Sequence, residues 1–431
     1  MKFNKWTVGL AAVGVVSLAS AARADEQMSQ VQTALTQTTL SGYVDTAMQW
    51  NPGTDQNGTT VNTDRNTQSG NIPHYAFAKN DGFSLNAVDI ALDKPEDSSA
   101  WAAGYRVEMQ YGANAVGVPL TGVRDTFGDN ITSAATIRQA FIRLHTPIVG
   151  NGIDWQIGIW DSIIGYESNS DPLNPNYTRS YGYTIEPTTM TGILGTYKVN
   201  DEISFSGGIA NNDGGLGSIT PQFVSTTTLE DAKTWLGSVS LTAPDSMGFL
   251  KGATLSSGVI YGIDTYTPGP YTPPGTQAGR PLNIYVGATV PTPMNQLKLG
   301  AAFDYVNVAN ATAAHENRTD NIWVLGGYGT YQATDKMSVN VRAEVLRDQG
   351  TAADIISVYP GLNTGPAQYQ HQYAEEITVT LQYNLWANVI TRGEFRWDHT
   401  DDDNFGVSDS GSGAPNRSND FLLALNIIYQ F

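Results

Sequence analysis

Hydrophobic and polar positions alternate along most of this chain. In EITVTLQYN (376–384), Ile377, Val379, Leu381 and Tyr383 fall on one face, and Glu376, Thr378, Thr380 and Gln382 on the other. SVNVRAEV (338–345) sets Val339, Val341, Ala343 and Val345 against Asn340, Arg342 and Glu344. VITRGEFRWD (389–398) and WAAGYRVEMQY (101–111) repeat the pattern. Their polar faces carry Arg392, Glu394, Arg396 and Asp398, and Arg106, Glu108 and Gln110. A period of two is that of β-strands.

Sixteen such segments are predicted, near 39–50, 82–93, 101–111, 136–146, 153–163, 189–199, 201–211, 232–243, 252–264, 282–290, 296–308, 320–333, 336–348, 373–386, 388–399 and 420–431. The connections between them alternate long and short. The long ones are 51–81, 112–135, 164–188, 212–231, 265–281, 309–319, 349–372 and 400–419. The short ones include DKPEDSS, PIVGNG, PTPMN and ATD. This is the pattern of an antiparallel meander with its long loops gathered at one end.

Alternation alone fits a soluble β-sandwich, with apolar residues inward, as well as a membrane barrel, with apolar residues toward lipid. Three features favour the barrel. The number and length of the strands fit a transmembrane barrel. Trp50, Trp101, Trp155, Trp397 and Tyr429 lie near strand ends, where interfacial girdles belong. The closing stretch FLLALNIIYQF puts Phe421, Leu423, Leu425, Ile427, Tyr429 and Phe431 on one face. The predicted fold is therefore all-β: a transmembrane antiparallel up-and-down barrel of about 16 strands, with short periplasmic turns and long extracellular loops.

The N-terminus sharpens the compartment. Lys2 and Lys5 precede an apolar run, Thr7 to Ala19, and Ala22-Arg23-Ala24 matches an A-x-A cleavage site. Residues 1–24 are expected to be a secretory signal peptide. Residues 25–38 form a weakly helical segment, a periplasmic tail or one folded into the barrel mouth, and 39–431 the outer-membrane barrel. Removing Lys2, Lys5 and Arg23 leaves 20 basic against 41 acidic residues, a net charge of −21. That excess argues against a nucleic-acid partner. The chain has no cysteine, so no disulfide stabilises it after export.

LSGYVD (40–45), FSLNAVDIALDKP (83–95), GYRVEMQYG (104–112), IRQAFIRLHTPIVGNG (137–152), NPNYTRS (174–180) and the closing strand Asp420–Phe431 resemble the OmpL-like β-barrel porins of Gram-negative bacteria. The resemblance is more specific up to about residue 210 and is carried mainly by pattern beyond it. It implies a single outer-membrane barrel acting as a diffusion channel. It supplies no catalytic residue.

No phosphate loop, metalloprotease motif or Cys/His cluster occurs. The histidines (His74, His145, His315, His371 and His399) are scattered, with no serine motif beside His145 or His399. Catalytic, cofactor and metal sites are therefore not expected. The run Asp401-Asp402-Asp403 offers hard oxygen ligands for Ca²⁺ but lacks the rest of an EF-hand loop. A solvated loop tip is the favoured reading.

The lumen face is the informative one. Alternation assigns to it Arg106, Glu108, Arg143, Arg342, Glu344, Arg392, Glu394 and Arg396, with Asp45, Asp89 and Asp304. On the lipid face a basic residue near the midplane would cost ~2–4 kcal/mol. These groups either line a water-filled pore or pair with one another and fill the lumen; with about 16 strands an aqueous channel is favoured. The third long connection contains DPLNPNYTRSYGYTIEP (171–187), where Pro172, Pro175 and Pro187 exclude a continuous helix. Asp171, Asn176, Tyr177, Arg179 and Tyr181 there are constriction candidates, if the loop folds inward rather than packing on the rim. The function expected is a passive porin for ions and small hydrophilic solutes. The alternatives are a barrel-anchored adhesin or structural protein with a blocked lumen, and an outer-membrane hydrolase. Expected partners are outer-membrane lipid, lipopolysaccharide and, by analogy with other sixteen-stranded porins, two further copies in a homotrimer.

Overall fold

The computed structural model describes residues 38–52, 81–115, 135–211, 233–262, 281–310, 318–349, 372–401 and 418–431. The predicted leader, most of the predicted N-terminal segment, Asp402, Asp403, His74, His315 and His371 lie outside the described residues.

Sixteen strands form one closed antiparallel barrel in sequence order. They are β1 (Thr39–Trp50), β2 (Gly82–Lys94), β3 (Ala102–Tyr111), β4 (Ala135–Thr146), β5 (Ile153–Asp161), β6 (Thr189–Lys198), β7 (Ile203–Ala210) and β8 (Thr234–Thr242). The second half is β9 (Thr254–Tyr261), β10 (Leu282–Pro291), β11 (Leu297–Asn310), β12 (Arg318–Gln332), β13 (Met337–Asp348), β14 (Gln372–Trp386), β15 (Val389–Thr400) and β16 (Asn419–Gln430). β16 returns to pair with β1, so no strand edge is left open. In a membrane that closure is required, because lipid offers no partner for an unpaired amide or carbonyl.

The two faces separate as the period of two demands. On β16, Leu425 is 63% exposed and its neighbour Asn426 is 1% exposed. Leu325, Phe395, Phe421 and Ile427 also point outward and are exposed, whereas Arg342, Glu376, Thr378 and Arg396 point inward and are buried.

Three register shifts interrupt the ladders of the described residues, one of them between Asn384 and Trp386 of β14 on β15, and the other two modify the alternation of the inner wall. The register of β1 on β2 shifts between Asp45 and Thr46, and both Asn86 and Ala87 are buried. The register of β3 on β4 shifts between Glu108 and Met109, and both Arg138 and Gln139 are buried. An extra residue in one strand breaks the strict in–out order locally. In β4 it lets two consecutive polar side chains reach one acceptor.

The inner wall is not uniformly polar. Met190, Leu194, Leu236, Ile260 and Tyr328 form an apolar cluster with Phe141 and Trp160 inside the barrel. Residues of the β5–β6 connection complete that cluster.

Candidate functional site: an inward loop and its wall

The connection from Ser162 to Thr188 runs inside the barrel. Pro172, Pro175 and Pro187 break it into short pieces. A 3₁₀ turn forms at Asp171–Leu173, and a single helical turn, α1 (Tyr181–Ile185), occupies a proline-free interval. The Ser180 side chain caps α1 by accepting from the Tyr183 amide at 2.9 Å. The prolines thus forbid a long helix but admit one turn, which their spacing alone does not reveal.

The outgoing limb docks through apolar contact. Ile164 belongs to the inner apolar cluster, with Ile163 and Tyr166 packed against it. Tyr166 stacks on Tyr328 with ring centroids 4.0 Å apart, and its hydroxyl lies 3.1 Å from that of Thr289. The wall makes room through glycine. A Cβ on Gly300 would lie 1.8 Å from the Tyr166 hydroxyl oxygen, and one on Gly258 would lie 2.6 Å from Ile164.

The returning limb docks through its main chain. Glu394 of β15 accepts the amides of Tyr177 at 2.5 Å and Thr178 at 2.9 Å. Glu344 of β13 accepts those of Tyr181 at 2.5 Å and Gly182 at 3.4 Å. Arginines take the carbonyls: Arg342 donates to Thr178 O at 2.7 Å, Arg396 to Arg179 O at 2.7 Å, and Arg392 to Asp171 O at 3.2 Å and to Asn174 O. Asn340 donates to Pro175 O at 3.2 Å. Charged groups make the stronger hydrogen bonds, and here each satisfies backbone that would otherwise be buried unpaired.

Side chains add further links. Asn176 donates to Thr380 Oγ1 at 2.7 Å, and the Tyr181 hydroxyl donates to Asp398 at 2.8 Å. The Tyr177 hydroxyl donates to Gln49 of β1 at 3.4 Å. Arg179 pairs with Asp171 at 2.6 Å and lies over the Tyr183 ring. Asp171 also accepts from Asn114 at 3.0 Å, while its amide donates to the Tyr43 hydroxyl at 3.3 Å. Glu186 is buried beside Asp304. Burial, then the neighbouring Asp304 carboxyl, hold Glu186 well above the usual carboxylate range.

The arginines and glutamates assigned to the lumen from sequence fall into two groups, and Asp45, Asp89 and Asp304, assigned with them, are buried. Arg342, Glu344, Arg392, Glu394 and Arg396 lie under the loop; the Arg342 and Arg396 side chains are 0% and 1% exposed. Asp171, Asn176, Tyr177, Arg179 and Tyr181 are the loop's side of the same contact and are buried too. Arg106, Glu108 and Arg143 sit apart on β3 and β4. The Arg106 and Arg143 side chains keep 21% and 15% of their exposure. Arg143 pairs with Asp93 at 2.7 Å, while Arg106 pairs with Glu108. Glu108 itself is buried.

Sequence reasoning missed several members. Arg138 and Gln139 both reach Asp161, at 2.7 and 3.0 Å. Strict alternation puts these two residues on opposite faces, and the bulge overrides it. Glu167, Glu376, Thr178 and Thr380 were also missed as parts of the loop contact. The inner apolar cluster had a legible signal: TMTGILGTYK carries apolar residues on both faces, Leu194 inside and Ile193 outside.

Among the described residues no group of three or more His, Asp and Glu is arranged to hold a metal. His145 lies 2.6 Å from Asp154, and His399 lies 3.1 Å from Asn419.

A closed sixteen-strand barrel, apolar on its outer face and with a loop folded into its bore, defines an outer-membrane porin. The chain belongs to the family described as "Putative beta-barrel porin-2, OmpL-like", which matches residues 37–431. Its fold recurs in the outer membrane channel DcaP of Acinetobacter baumannii, with a TM-score of 0.55, 12% identity, and 91% of this chain and 97% of that one covered. The anion-selective porin from Comamonas acidovorans gives 0.53 at 13% identity, covering 91% and 99%. OmpT of Vibrio cholerae, in a trimer form, gives 0.53 at 12% identity, also covering 91% and 99%. At such identities the likeness is one of fold. No curated protein matches the chain.

Proposed function

We propose that this porin passes ions and small hydrophilic solutes by passive diffusion, and that residues 164–188 form its constriction. The observation that carries this reading is the docking of the returning limb on the inner faces of β13, β14 and β15. A loop so held narrows the bore at a fixed place. In this reading Arg106 and Arg143 line the water-filled side, and Glu108 is buried behind them as the partner of Arg106. Arg342, Glu344, Arg392, Glu394 and Arg396 shape the constriction by holding Asp171, Asn176, Tyr177, Arg179 and Tyr181 in place. No catalytic, cofactor or metal role is assigned. The family and the fold are those of a non-enzymatic channel.

Residues 1–24 direct export and are removed, and 25–38 remain periplasmic. The outer face meets outer-membrane lipid and lipopolysaccharide, and three copies associate. The rival reading, a blocked barrel serving as an anchor, draws support from the burial of the inner wall under the loop. Reconstitution into planar bilayers decides between them. Open, multi-ion conductance supports the porin; a folded barrel that never conducts overturns it.

A further inference from the structure

We propose that Arg342 is the positioning residue of the constriction, a clamp that ties both limbs of the inward loop to the wall and does not itself meet the solute. The inference deepens the constriction reading and rests on it. Arg342 lies in the middle of β13, and its side chain has no exposure. Its Nη1 donates to Glu167 on the outgoing limb at 2.7 Å and to the Thr178 carbonyl on the returning limb at 2.7 Å. Its Nη2 reaches Thr178 Oγ1 at 3.1 Å and Glu376 Oε2 at 3.1 Å, and its Nε donates to Glu376 Oε1. A guanidinium has five N–H donors, and each of them has an acceptor here.

Glu167 in turn accepts the Ser180 amide at 2.8 Å, so the two limbs are also joined to each other through the residue that Arg342 holds. Thr378 Oγ1, which donates to Glu376, stands 3.3 Å from Nη2 and fixes the far side of the fork. Geometry of this kind is specific to arginine. A lysine ammonium keeps the charge but offers three donors from one point, and cannot span two limbs and a carboxylate at once.

Arg342→Lys and Glu167→Gln separate a clamp from a mere buried charge. Each protein is refolded, checked for the heat-resistant folded band on a gel, and followed by hydrogen–deuterium exchange and by single-channel recording. Losing one charge-assisted bond should speed exchange of the Tyr177–Gly182 amides roughly tenfold, with the strands as protected as before. Current noise and mean conductance should rise in parallel. If Arg342→Lys matches the parent in loop exchange and in noise, the clamp is overturned. If that variant does not fold, Glu167→Gln decides alone: unchanged exchange overturns the clamp, and faster exchange sustains it. A parent barrel that exchanges as expected but carries no current overturns the channel reading and leaves the clamp standing.

Discussion

Arg396 donates from Nη1 to the main-chain oxygen of Arg179 at 2.7 Å, so two like-charged residues lie in direct contact. The contact is tolerated because each guanidinium has its own carboxylate: Asp398 for Arg396 at 2.8 Å, and Asp171 for Arg179 at 2.6 Å. Arg179→Ala keeps the carbonyl and removes only the side chain. The barrel is expected to fold, since no strand is touched. Asp171 loses its cation, at a cost of about 3 kcal/mol to loop docking. The reversal potential in a salt gradient should shift toward cations, and an unchanged potential would count against the loop as the constriction.

Glu394→Ala leaves the amides of Tyr177 and Thr178 without their acceptor. Each buried amide left unpaired costs ~1–3 kcal/mol. Larger and noisier single-channel currents are expected. Glu394→Gln keeps one acceptor oxygen and should fall between the variant and the parent. Currents identical to the parent's in the alanine variant would mean the loop does not gate the bore.

Gly300→Ala tests the outgoing limb without touching a charge. The new methyl group occupies the place of the Tyr166 hydroxyl. Expelling Tyr166 loses the stacking on Tyr328 and the contact to Thr289, together about 1–2 kcal/mol. Tyrosine fluorescence and loop proteolysis should both report a looser first limb. A barrel with parental proteolysis would show that the wall can absorb the methyl.

Conductance should depend on pH through Glu186. Its proton is retained when the loop is docked, because burial and then Asp304 disfavour the charge. In an undocked loop the same carboxyl ionises near ~4.3. The docked state binds the proton more tightly, so docking is strongest in acid and weakens as pH rises through the docked carboxyl's elevated range. Glu167 and Glu344 add to the repulsion once Glu186 ionises. Conductance should therefore rise as pH is raised above ~4.3, and Glu186→Gln should flatten the curve. A curve of the same steepness in the variant would assign the titration elsewhere.

Leu425→Arg places a charge on the lipid face at the middle of β16. Its expected cost is ~2–4 kcal/mol, measurable by urea unfolding in vesicles. A negligible cost would put that face in water.

The strands were legible because two periodic signals agree: the in–out alternation within each segment, and the long–short alternation between them. The same alternation points Arg342, Arg392 and Arg396 inward, and all three are buried. What escaped is what periodicity cannot encode. The loop is held largely by its amides and carbonyls, which are the same for every residue type, so Glu344 and Glu394 give no hint in sequence that they accept loop amides. The pairing of Arg138 and Gln139 on Asp161 depends on a bulge, a one-residue change in the count of a strand. The apolar patch inside the barrel left a trace in TMTGILGTYK, which is apolar on both faces, but a search for alternation passes over such a segment.

The seam between β1 and β16 sets a rule for assembly in time. Gly42 and Phe431 exchange main-chain hydrogen bonds at 3.0 Å in both directions, joining positions near opposite ends of the barrel segment. Until the last strand arrives, β1 presents an unpaired edge that hydrocarbon cannot satisfy. A chain truncated before β16 therefore has no stable half-finished form in the bilayer. Insertion must be nearly all-or-none, and slow, because its closing contacts are the most distant in sequence.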